Sequence, residues 1–179
     1  MVVTTLPRSG QVMTWDEYER LGEDPRAEYI DGRLIVTPGP TRQHQDLLHR
    51  LVTALHAVLP PGLRATSQWN WKPGVDEFIP DVLVYPATTE SVRFTGIPVL
   101  VIEALSTNRA DDLVRKATKY AAVGLPHYWV VDVRDHVLDA FRLTDGAYTP
   151  IAHVERGQVA DISFGAATLR VDLDALLTD

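Results

Sequence analysis

The segment Pro98–Leu105, PVLVIEAL, is the strongest constraint on the fold. A near-continuous apolar run of this length is the pattern of a central strand covered on both faces. Such a strand requires a packed layer on each side. One charge interrupts the run, Glu103. An ionised carboxylate there is costly unless a cation or hydrogen bonds compensate it. Asp81 raises the same problem inside residues 78–85, FIPDVLVY, where alternation sets it opposite Val82 and Val84. Two acids on strands expected to be neighbours point to a shared cation. The structural alternative is solvation at a strand end or pairing with arginine. Oxygen donors in a chain without cysteine favour Mg²⁺ or Mn²⁺.

Around these strands the sequence predicts a mixed sheet flanked by helices, an α/β (α+β) class rather than a regular βαβ array. Residues 1–12 read as a flexible tail, and 13–179 as one domain. Residues 13–21 predict a short helix, with Thr14 as N-cap and Glu17 as its capping-box partner. Asp31-Gly32 between Tyr29-Ile30 and Leu34–Val36 predicts a hairpin. Thr41–Leu59 predicts a long helix from the spacing of Leu47, Leu48, Leu51, Val52, Leu55 and Val58, stopped by Pro60-Pro61-Gly62. Strands are expected at 64–72, 78–85, 98–105 and 127–133, with a helix at 108–123 closed by Gly124 and Pro126. Residues 136–172 predict a β-rich extension, and Val171–Leu177 a last helix.

The helix after Glu103 carries Asp112 and Lys116 four apart, on one face. An exposed i,i+4 salt bridge is the structural reading, and Lys119 could share that face. Glu28, just before the hairpin turn, reads by spacing as an exposed strand residue. His44 reads as a surface or capping residue unless the start of its helix points at the sheet. His49 and His56 share a face without acid partners, which argues against zinc. No P-loop, G-x-G-x-x-G or G-x-S-x-G pattern is present, so nucleotide-binding and serine-hydrolase chemistry have no support.

The formal net charge of −7 argues against a broad basic face, though not against a locally basic cleft built from Arg42, Arg109, Arg115, Lys116 and Lys119. No apolar run reaches the ~20 residues of a membrane span. No charged-then-apolar leader stands at the N-terminus, so a cytoplasmic location is expected.

Taken in order, several segments resemble the Uma-two-type family of restriction-endonuclease-like proteins, within the PD-(D/E)XK nuclease superfamily. They are Glu28–Leu34, His44, Pro80-Asp81-Val82, Val101–Ser106, Asp112–Lys116 with Tyr120, and Gly124–Asp132. The resemblance spans about Thr14 to Leu177. It implies a restriction-endonuclease-like core in which Asp81 and Glu103 ligate a divalent metal. The superfamily pattern sets a lysine two residues after the second acid, where this chain has Leu105. The resemblance therefore carries the lysine role to Lys116, with Lys119 as the weaker candidate, and adds Glu28 and His44 as further site residues. It implies a metal-dependent endonuclease acting on nucleic acid, DNA being favoured, and a homodimer would suit the cutting of both strands. Two other classes stay open. One is a non-catalytic DNA-binding or interaction protein keeping the fold; the other is a metal-dependent hydrolase of a small phosphorylated ligand.

Overall fold

The computed structural model describes residues 8–22, 26–36, 39–105 and 110–178, and the side chains of all of these but 110–112. In chain order the elements are α1 (Trp15–Glu19), β1 (Ala27–Ile30), β2 (Arg33–Val36), α2 (Arg42–Val58), β3 (Leu63–Ser67), β4 (Asn70–Trp71), β5 (Val82–Pro86) and β6 (Arg93–Phe94). They continue with β7 (Leu100–Leu105), α3 (Ala110–Ala122), β8 (His127–Asp132), β9 (Val137–Thr144), β10 (Ala147–Glu155), β11 (Val159–Phe164), β12 (Ala167–Asp172) and α4 (Leu173–Leu177).

The core is a six-stranded mixed sheet in the order β10-β9-β8-β7-β5-β3. Only β7 and β8 run parallel within it; every other pairing is antiparallel. Parallel neighbours need a crossover, and α3 supplies it. Strand alternation then splits β7. Leu100, Ile102 and Ala104 face a layer made by α2, α4 and the β11–β12 hairpin. Val101 faces the opposite layer, with Tyr120 of α3, Ile30, Trp71 and Phe78. The leucines predicted for one face of α2, Leu47, Leu48, Leu51 and Leu55, are all buried. Burial of each contributes ~1.5–3 kcal/mol.

Local signals account for the ends of several elements. Thr14 caps α1 and forms the predicted box with Glu17. Asp31 and Gly32 both take positive φ, 53° and 70°, the conformation of a two-residue hairpin turn, and Gly32 adopts it without a Cβ penalty. Thr41 caps α2 by accepting the N–H of His44.

Elsewhere tertiary structure redraws the predicted elements. The strand expected over 64–72 breaks at Gln68, which takes φ +57° and gives its N–H to the carbonyls of Pro80 and Asp81. Trp71 therefore leaves the main sheet and packs against Phe78 and Tyr120. Asp81 immediately precedes β5 instead of lying within it. Val171 and Asp172 belong to β12, and Asp172 caps a shorter final helix. The β-rich extension divides: β9 and β10 join the main sheet, while β11 and β12 pair only with each other. Of the segment expected as a flexible tail, Gly10 donates its N–H to Leu34 O, and Val12 bridges to Arg33. No helix among the described residues is long and apolar enough to cross a membrane.

Candidate functional site

Glu103 projects from β7 into the α3 layer, where one turn of helix meets it. Lys116 Nζ lies 3.3 Å from Glu103 Oε1, and Tyr120 donates its hydroxyl to the same oxygen at 2.8 Å. Lys116 and Tyr120 are four apart, so a single helical face presents both. The same ammonium lies 2.9 Å from Oε1 of Glu28 on β1. Glu28 Oε1 also accepts the N–H of Ile79 at 2.8 Å. The hairpin is pinned in place by reciprocal backbone bonds between Tyr29 and Glu77. Glu28, Glu103 and Lys116 are all buried.

Asp81 reaches this cluster from the start of β5. Its Oδ2 accepts the N–H of Ala104, the residue after Glu103, at 2.8 Å. Its Oδ1 lies 2.9 Å from Nε2 of His44 in the first turn of α2. Both side chains are largely covered. Three carboxylates thus share a small volume with one lysine. Burial pushes the Glu103 carboxyl up to about 8; Lys116 opposes that rise, and Asp81 and Glu28 add to it. Burial, and the negative charge of Glu103 and Glu28, also hold the Tyr120 hydroxyl well above its ordinary range.

The six residues singled out from sequence separate into two groups. Glu28, His44, Asp81, Glu103 and Lys116 are linked in space. Lys119 points elsewhere, to Asp31 Oδ1 at 2.6 Å and Asp76 Oδ2 at 2.7 Å, and so ties α3 to the hairpin turn. Glu28 is not the exposed strand residue that spacing suggests, because the hairpin folds over the sheet and buries it. Lys116 is likewise not an exposed salt-bridge partner; the side chain of Asp112 lies outside the described residues. Arg109 also lies outside them, and Arg42 pairs with Asp46 at an exposed position, so those two add nothing visible to a basic cleft. Tyr120 is marked in the sequence only by the family resemblance, without a role, and by the four-residue interval from Lys116. His56 accepts the N–H of Ala65, a structural use, and His49 is exposed.

The chemistry of the donors fits a hard divalent cation. All are carboxylate oxygens, and three carboxyl groups stand near one lysine. Among the described residues, however, no three His, Asp or Glu side chains stand as a ready ligand set. The carboxylates are turned to Lys116, Tyr120, His44 and backbone N–H groups instead.

Comparison with known proteins agrees with this architecture. A crystal structure titled as a "putative nuclease belonging to DUF820", from Anabaena variabilis, superposes with a TM-score of 0.76. The match covers 93% of this chain and 98% of that one at 20% identity, a likeness of fold. No curated protein matches the sequence. The sequence pattern of one family, described as "Putative restriction endonuclease", covers residues 15–173, and the chain belongs to that family, Uma2.

Proposed function

We propose that the protein is a divalent-metal-dependent nuclease that hydrolyses phosphodiester bonds of nucleic acid, with DNA the favoured substrate. The observation that carries this reading is the position of Lys116. A lysine absent from the strand, where Leu105 stands, returns from α3 to within 3.3 Å of the second acid. Family membership and the fold of the Anabaena protein support a nuclease in general; the metal and the substrate are inferred from the donor set.

Asp81 and Glu103 would hold the ion, Mg²⁺ or Mn²⁺, with Glu28 adding negative charge. Bound there, the ion supplies Lewis acidity toward a phosphoryl oxygen and lowers the pKa of its water. The remaining work falls to the chain. Lys116, set against the carboxylates of Glu28 and Glu103, would present positive charge where negative charge develops on the phosphorus oxygens. Tyr120 steadies Glu103 through one carboxylate oxygen, and His44 with the Ala104 N–H steadies Asp81 through both. The test is calorimetric titration of Mn²⁺ into the parent, Asp81→Ala and Glu103→Ala, beside cleavage of DNA and RNA. Binding and cleavage present in the parent and absent in both folded variants are the expected outcome. A folded Asp81→Ala protein with full activity would sink the assignment.

One observation favours a second reading, a nucleic-acid-binding protein without catalysis. Every one of the three acids is already engaged by the protein itself. Nucleic-acid binding with no Mn²⁺ uptake by the parent, even with substrate present, would select it.

A further inference from the structure

His44 has a second neighbourhood. Besides its contact with Asp81, it lines a cavity of about 380 Å³ between α2, the β8–β9 turn and the end of α4. Arg50, Arg134 and His136 line the same cavity. The carboxylate in its wall, Asp46, is already paired with Arg42 at 2.6 Å. Arg50 is half-buried and steadied by donating to Leu176 O. Arg134 is exposed, and among the described residues its side chain holds a long contact to Asp135, 3.3 Å. The Nδ1 atom of His136 is buried and has no hydrogen-bond partner among the described residues. The backbone N–H of His44 is spent on Thr41, so the side chains, not the helix end, give the cavity its character.

In a chain of net charge −7, two guanidiniums around a cavity whose carboxylate is already paired make a local reversal of sign. Arginine forks match phosphate oxygens, and an imidazole N–H in the lining is a further donor. The volume is at the small end of ligand sites, room for a phosphate and its sugar rather than a base-reading groove. We infer that this cavity seats a backbone phosphate of the nucleic acid, next along the strand from the one presented to Asp81 and Glu103. His44 then stands between the two phosphates and links strand positioning to the acid cluster. The inference rests on the nuclease reading above. Contacts of this kind fix register along the strand and carry no sequence information.

The experiment is fluorescence anisotropy of a labelled DNA duplex in Ca²⁺ over a salt series, with Mn²⁺ cleavage assayed in parallel on the parent. Arg134→Gln and His136→Asn are the test variants. Asn suits the positive φ of residue 136. Arg170→Gln is the control, since that side chain is exposed on β12 and lies outside the cavity. The test variants are expected to bind about three- to tenfold more weakly at low salt, Arg134→Gln also losing about one unit of salt slope. The control should match the parent. Unchanged binding by both test variants, beside a parent that cuts, overturns the cavity assignment and leaves the nuclease reading standing. A parent that neither binds nor cuts overturns both. Uptake of inorganic phosphate without duplex binding overturns the strand-seating role in favour of a small phosphorylated ligand.

Discussion

Lys116 Nζ lies 2.9 Å from Glu28 Oε1, so a buried ion pair joins α3 to the first hairpin. The lysine also faces Glu103, and removing it would leave two buried carboxylates facing each other. Such an orphaned charge costs more than an ordinary contact.

Lys116→Ala should therefore destabilise the metal-free protein by ~3 kcal/mol, within the range for breaking one partner of a buried pair. Urea unfolding reads this directly. Adding Glu28→Gln to the lysine variant should recover part of the loss, because one uncompensated charge is removed. Equal midpoints for the parent and Lys116→Ala would show that the pair does not form in solution.

Lys119→Ala separates the two lysines. Its ammonium is partly exposed, and one of its partners, Asp31, is mostly so. Solvent screening limits the loss to ~0.5–1 kcal/mol. Cleavage by this variant should stay within about twofold of the parent, whereas Lys116→Ala should lose ~100-fold or more, the scale of a lost charge-stabilising donor. A reversal of these two results would move the catalytic role to Lys119.

His44→Ala tests positioning of Asp81 through the 2.9 Å contact. Mn²⁺ affinity should fall by ~10- to 100-fold, as for other partners that orient a ligand. His44→Asn, which keeps a polar group, should restore part of it. Affinity equal to the parent in His44→Ala would mean that the Ala104 N–H alone suffices to hold Asp81.

His127 gives a pH dependence away from the site. Burial, and then the charge of Arg142, hold its imidazole below the ordinary value, and Nε2 accepts the N–H of Gly165 at 3.0 Å. The unfolded chain takes up a proton near pH ~6.5 while the folded protein does not. Stability is thus complete above that pH and declines as pH falls from it toward the lower folded value. The urea midpoint of the parent should drop between pH 7.5 and 5.5 by more than that of His127→Gln (both pH values are about one unit either side of ~6.5). Parallel slopes for the two proteins would count against the buried neutral imidazole.

The legible parts of this protein were those where one residue contradicts its surroundings. Asp81 and Glu103 stand out as charges among apolar neighbours, and Asp31-Gly32 as turn chemistry between short apolar runs. The paired role of Glu28 leaves no such mark, because its burial is created by the hairpin closing over the sheet. Tyr120 is buried on the inner face of its helix, but periodicity is blind to where a hydroxyl points. Gln68 breaks a predicted strand in a left-handed conformation that glutamine seldom adopts, held by the carbonyls of Pro80 and Asp81. The cavity beside His44 draws on α2, the β8–β9 turn and α4, which no local window brings together.

The contact between β1 and α3 also orders events during synthesis. The hairpin leaves the ribosome long before Lys116 is made, and Glu28 waits in water as a harmless solvated acid. Glu103 follows, still without its lysine. Only when α3 has emerged and swung across to start β8 do the carboxylates acquire their common counter-charge. A nascent chain interrupted before that point carries the acids but not the assembled cluster, which therefore waits for three strands of the sheet and the crossover helix.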